Sequence, residues 1–224
     1  MIVCTKLRVK VIIGVCVAIA AIILTCCLLS SAEKKLNFKA TFYYVCYDSP
    51  RDAHSASSMS SVVQSYGGAG YIICSNQKYY VTVSCYYKET DAETVCNSLK
   101  NKGLACLVVK VERDEYKLKS TAKKNAEKYQ GNLNTLLSIS KICYDLANSL
   151  DSMTQNQNGA KAVLADVKTD LNSLLRLNGA NCFASELSAL VAECDDVSDG
   201  YILSRDVRRL QVAVCDCIIN INLY

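Results

Sequence analysis

The chain is 224 residues long, 51% hydrophobic and 21% charged, with 1 Pro, 9 Gly and a formal net charge of +4. That is too little Gly and Pro for a collagen-like chain and too apolar for a disordered one. The mild charge does not supply the dense basic surface of a nucleic-acid binder, so no nucleic-acid partner is expected. At ~150 residues per domain the length allows one or two cores. A single histidine excludes most chemistry built on imidazole, and the 14 cysteines need an account.

From Val11 to Ala32 the chain carries no charge and is rich in Ile, Val, Leu and Ala. At ~1.5 Å per residue such a stretch crosses a hydrocarbon core of ~30 Å as a helix. Lys6, Arg8 and Lys10 precede it, which favours a cytoplasmic tail over residues 1–10 and a transmembrane helix over 11–32. The sequence thus predicts a single-pass protein of the cell membrane whose C-terminal domains are extracytoplasmic. A cleaved signal peptide is the alternative, since Ser30 and Ala32 have cleavage-site spacing.

Residues 40–113 alternate short apolar runs with helical stretches. Phe42 to Tyr47 reads as a strand, and Asp52 to Tyr66 as a helix with Ala53, Ala56, Met59, Val62 and Val63 at helical spacing. Gly67-Gly68-Ala69-Gly70 breaks that helix. Tyr71 to Cys74 forms a second strand, and Asn76-Gln77 turns it into a third, Tyr79 to Tyr86. Thr90 is placed to cap a second helix through Ala92, Val95, Cys96 and Leu99, which ends at Gly103. Leu107, Val109 and Val111 then alternate in a last strand. The order is βαββαβ, and it contains a repeat: Cys46-Tyr47 and Asp52-Ala53 match Cys85-Tyr86 and Asp91-Ala92. Two paired βαβ units predict a ferredoxin-like α+β sheet with both helices on one face. Parity places Phe42, Tyr44, Val81, Val83, Leu107 and Val109 inward. Tyr43, Val45, Tyr80, Thr82, Ser84 and Lys110 then line an open face.

From residue 117 to 224 the period becomes helical. Ala122, Ala126, Tyr129, Leu133, Leu136, Ser140, Cys143, Ala147 and Leu150 trace one long helix. Val163, Val167, Leu171, Leu174 and Leu175 mark a second, closed by Asn178-Gly179. Leu187, Leu190, Val191 and Cys194 mark a third. Val207, Leu210, Val214, Cys217 and Ile221 mark a fourth, with Ser204 as its N-cap. Short connections predict an antiparallel bundle of about four helices.

The repeated βαβ, the aromatic-rich strand entering each unit and the Asp-Ala helix starts resemble the SPOR family over residues 40–113. Tyr80-Val81-Thr82-Val83-Ser84-Cys85-Tyr86 looks like that family's second-repeat strand, whereas Phe42 to Tyr47 lacks the usual first-strand pattern. The resemblance implies a sporulation- or division-related, envelope-anchored module that binds peptidoglycan glycan strands without catalysis. The candidate glycan-binding residues are Tyr43, Tyr80, Thr82, Ser84 and Lys110. A sugar offers CH faces to stack on tyrosine and hydroxyls to meet Ser and Thr, and the same tyrosines suit a sheet face packed on the helical bundle equally well.

Other motifs carry less. Gly67 to Gly70 is followed by no Lys-Ser or Lys-Thr and leads into a strand, which argues for a tight turn over a phosphate loop. Cys215 and Cys217 diverge by about 200° on a helix, which excludes a shared zinc. His54 has no acid or nucleophile at a recognisable spacing, so no enzyme is expected, and neither a metal nor another cofactor is implied. Cys74, Cys85, Cys106, Cys143 and Cys194 stand where Val, Ala or Ser would fit, which predicts buried free thiols, although an exported chain permits disulfides. Two functions remain: a membrane-anchored peptidoglycan-binding protein, or a protein-interaction scaffold whose bundle binds a partner while the sheet is structural.

Overall fold

The computed structural model of the protein describes residues 34–47, 50–118, 126–178, 183–221 and 223. Four strands, β1 (Lys34–Tyr47), β2 (Tyr71–Ser75), β3 (Lys78–Tyr86) and β4 (Cys106–Leu118), pair in the order β2-β3-β1-β4, all antiparallel. Two helices, α1 (Ala53–Ser65) and α2 (Glu89–Asn101), join them in the expected βαββαβ sequence. Four more follow: α3 (Ala126–Asp151), α4 (Gln157–Asn178), α5 (Phe183–Ser198) and α6 (Ser204–Asn220).

Local chemistry accounts for the element ends. Asp52 caps α1 by accepting from the Ser55 amide at 2.7 Å, which holds its carboxyl below the usual range. The matching Asp91 lies inside α2, whose N-cap is Lys88 without a side-chain bond, so Thr90 is not the cap. Asn76 and Gln77 both have positive φ, the two-residue hairpin turn that suits strand twist. Gly70 has φ +63°, and a Cβ there would meet Ser60 O at 2.7 Å. Ser204 opens α6 from inside the helix, with Leu203 at the cap.

The sheet is covered on both faces. On one side Val45 and Cys106 pack against Ala92 and Cys96 of α2, while Val81 packs against Ala56 and Val63 of α1. On the other side Leu36, Phe38, Ala40, Phe42, Tyr44 and Cys46 of β1 join a single core with the four C-terminal helices. The expected open face is therefore corrected. Helix α6 lies on it and touches all four strands. Its residues from Gln211 to Cys215 are all buried, the sign of a helix packed on every side. Helix α3 backs α6 from the outside, and α4 and α5 pair beside them.

Polar bonds fix α6 in place. Gln211 Nε2 donates to Cys85 O at 3.0 Å. At the C-terminus, where the last carbonyls of a helix lack internal partners, Tyr116 Oη donates to Ile218 O at 2.6 Å. Arg113 Nη1 donates to Ile219 O at 2.6 Å and Ile221 O at 2.7 Å, and its guanidinium stacks 4.0 Å over the Tyr116 ring. Both residues sit on the far part of β4, beyond the expected strand limits. The pairing of Leu36 with Tyr116 shows that β1 and β4 run on together as a ribbon serving this helix end.

No helix among the described residues is long and apolar enough to cross a membrane. The longest, α3, is interrupted by Glu127, Lys128, Lys141, Asp145 and Asp151. The expected fold class, α+β with an N-terminal transmembrane helix, is corrected on the transmembrane helix; the described residues form an α+β fold with a four-stranded sheet and six helices. The single-pass topology and cell-membrane localisation are withdrawn with it. The tail 1–10 and the segment 11–32 on which they rested lie outside the described residues.

Replacing Tyr116 by Phe removes one buried bond and leaves the Ile218 carbonyl unmet. The expected loss is about 1–2 kcal/mol of unfolding free energy, read by urea denaturation.

Candidate functional site

A β-bulge decides where the expected site residues go. In the β1–β3 pairing, Val45 faces Ser84 and Cys46 faces Thr82, so Val83 is the extra residue and side-chain parity reverses there. Thr82 lies on the α6 face, fully buried, and its hydroxyl donates to Tyr71 O at 2.9 Å. Tyr80 packs against the same core, half-buried. Ser84 lies opposite Val45 on the α2 side, buried, and donates to Tyr86 Oη at 3.1 Å. Tyr43 is half-buried in the α2 cluster, across from Lys110. Lys110 is exposed and paired with Glu112 at 2.7 Å. The five residues are thus divided between two faces and form no common surface.

The expected inward set divides in the same way. Val81 and Val83 face α1 and α2, but Phe42, Tyr44, Leu107 and Val109 face the bundle. Both sets are packed because both faces are covered, and Val45, expected to be open, is fully buried. Rings extend the junction: Tyr144 of α3 meets Tyr86 and Tyr87 edge-on at 6.0 and 5.9 Å, and Tyr87 Oη donates to Ser140 Oγ at 2.9 Å.

The concavities lie elsewhere. A cavity of about 220 Å³ opens where the β2 edge meets α5 and α6, lined by Tyr71, Glu186, Glu193, Asp216 and Asn220 among others. Asp216 Oδ2 accepts from Tyr71 Oη at 3.3 Å, and its Oδ1 accepts from Asn220 Nδ2 at 2.7 Å. Burial raises the Asp216 carboxyl above its ordinary range, partly offset by these two neutral donors. Glu193 is ion-paired with Arg209 at 2.6 Å. Chemically, the cavity favours a proton or a cationic group over an anion. Sequence reasoning passed over it because Tyr71, Glu186 and Asp216 come from three distant elements.

A second cleft, about 440 Å³, lies at one end of the bundle between the α3–α4 and α5–α6 turns. Gln157 ties the two turns together, donating to Ile202 O and accepting from its amide, both at 2.9 Å. Around it Met153 is 90% exposed, Tyr201 73% and Leu203 37%. A third hollow, largely apolar, separates α1 from α2 and is lined by Tyr47, Val62, Val63, Tyr66, Leu99 and Leu104 among others.

Among the described residues no group of three or more His, Cys, Asp or Glu side chains is placed to hold a metal ion. Nine cysteines there are free thiols; eight are buried and Cys74 is exposed, contrary to its apolar placement. Burial pushes the Cys46, Cys85, Cys143 and Cys217 thiols up, the direction opposite to an activated nucleophile.

No family model matches the chain, and no curated protein matches it. Among solved structures it is weakly similar to the solution structure of the peptidoglycan binding domain of the B. subtilis cell wall lytic enzyme CwlC. The identity is 19%, the match covers 32% of this chain and 91% of that one, and the TM-score is 0.28. The SPOR resemblance is not raised by this to a family assignment.

Replacing Thr82 by Val removes a buried hydroxyl at nearly constant volume. The expected cost is about 1 kcal/mol in denaturant unfolding; an unchanged midpoint would contradict the packed placement. For Asp216, a raised folded-state pKa means its favourable contribution is complete below the unfolded value of ~3.9 and is lost as pH rises through the folded value. Asp216→Asn should therefore match the wild type in acid and become progressively the more stable of the two as pH rises above that range, followed by melting temperature against pH.

Proposed function

We propose that the protein is a non-catalytic interaction scaffold in which the βαββαβ sheet is structural and the helical bundle presents the binding surface. The observation that carries this reading is the seating of α6 on the sheet. Phe42, Tyr44, Thr82 and Cys85, which an uncovered sheet would offer to a ligand, are buried beneath it. Glycan binding on that face requires α6 to leave, which exposes the apolar side of β1 and breaks the bonds from Gln211, Tyr116 and Arg113.

The surface best suited to a protein partner is the end of the bundle. Met153, Tyr201 and Leu203 are large apolar side chains left exposed around one cleft, and Gln155, Asn156 and Ser204 supply polar groups beside them. Apolar anchors within a polar surround are the usual composition of a protein-binding patch.

Two measurements test the proposal. Full-length protein mixed with purified cell-wall sacculi should remain in the supernatant after sedimentation. Saturable binding that Tyr80→Ala weakens would instead support a sheet-bound glycan and reject the scaffold. A photo-crosslinking residue placed at Tyr201 should give one discrete protein adduct in cells, and the same residue at exposed Val62 on α1 should not.

A further inference from the structure

We propose that Cys96 and Cys106 form an oxidisable dithiol that closes to a disulfide and pins α2 to the start of β4. The two residues belong to different elements, a helix and the strand that follows it, and they meet beneath α2 in a small cluster with Val45 and Ala92. Their sulfurs lie 3.2 Å apart. That is about 1.2 Å more than the ~2.04 Å of a disulfide, a gap that small side-chain movements can close. Cys106 Sγ also donates to Cys96 O at 3.1 Å, which holds it over the helix.

The turn between them brings this about. Helix α2 ends at Asn101 with Lys102 as its C-cap, Gly103 takes φ +82°, and the Leu104 amide returns to Leu99 O at 3.1 Å. That left-handed reversal folds the chain back on itself and sets Cys106 under Cys96. The other buried thiols are differently placed. Cys85 and Cys215 hydrogen-bond to each other in the centre of the molecule, between the sheet and α6, where both are fully buried. Cys106 begins the edge strand β4 and Cys96 lies on α2; both thiols are buried, so oxidation proceeds through local opening of α2.

The reaction takes a low-molecular-weight disulfide as oxidant. One protein thiolate attacks a sulfur of the reagent and expels the first thiolate, leaving a mixed disulfide. The second protein sulfur attacks the first, the protein S–S bond forms, and the second reagent thiolate leaves. The protein loses two electrons and two protons, and the reagent disulfide becomes two thiols. Burial and the neighbouring Cys96 thiol raise Cys106 above the ordinary thiol range, which disfavours its thiolate at neutral pH. Closure also affects the hollow between α1 and α2. Leu99 and Leu104, which line it, both lie inside the loop that the bond closes.

The test uses the full chain, first reduced and then incubated with oxidised glutathione. Peptide mapping should recover Cys96 joined to Cys106. The rate of closure should rise with pH between pH 7 and pH 8, since the thiolate is the attacking species. The oxidised protein should melt several degrees above the reduced one, and Cys106→Ser should abolish both the linked peptide and the shift. Three results would each overturn the proposal: both cysteines carrying glutathione without joining each other, both staying reduced, or the central Cys85–Cys215 pair closing first. Because each is read by mass from the native protein, a variant that fails to fold does not obscure the answer.

Discussion

The structure depends on where α6 can go. Its buried residues from Gln211 to Cys215 leave no side of the helix suited to water, so it has to lie between two apolar surfaces. The sheet supplies one surface through the even-numbered residues of β1, and α3 supplies the other. The last carbonyls of this helix, which lack intrahelical donors, also need partners. Tyr116 and Arg113 provide these, and they reach the helix end only because β1 and β4 continue as a paired ribbon past the region that α1 and α2 cover. At the other end, Arg205 donates to Gln64 O at 3.1 Å and so ties α6 to the end of α1 on the opposite layer. Sheet length, strand pairing and helix placement are thus one linked solution.

Much of this architecture was legible. The βαββαβ order, the Asn76-Gln77 hairpin and the four C-terminal helices all follow from periodicity and turn chemistry. Both-sided burial was legible too, in one respect that parity reasoning overrode. Phe42 to Tyr47 is an unbroken apolar and aromatic run with no polar alternation, the pattern of a strand covered on both faces. What could not be read was the bulge at Val83. It reverses side-chain parity within a single strand, leaving Val81 and Val83 on one face and Cys85 on the other, and no residue type in that stretch announces it. Tyr80 and Thr82 are therefore separated from Ser84, and a surface drawn by simple alternation dissolves.

The far end of β4 was missed for a different reason. The expected last strand ends near residue 113, yet Arg113, Asp114, Glu115 and Lys117 are outward and capping residues of a strand whose Tyr116 and Leu118 are buried in the core. Charge on an edge strand also discourages pairing with another sheet, so these residues protect the edge while Arg113 serves the helix. Such double use is invisible to a composition window. The cavity beside Asp216 is a related case: its walls come together only once α6 has crossed β2, and no spacing in the chain foretells that approach.

The cysteines fit the same constraint. Cys46, Cys85 and Cys215 are all fully buried in the core shared by the sheet and α6, where a small side chain that does not demand hydrogen bonds fits. Serine has the size but would bury a hydroxyl needing a partner, and valine has the polarity but adds branched bulk. A thiol satisfies both conditions, as a small and weakly polar group that burial keeps protonated. The neighbouring Tyr44 shows the cost of the alternative, since among the described residues its buried hydroxyl finds no hydrogen-bond partner. The Cys96–Cys106 pair differs because it lies under a peripheral helix rather than at the central layer. There the same small thiols stand close enough for chemistry, and the position in the fold, not the residue type, separates packing from reactivity.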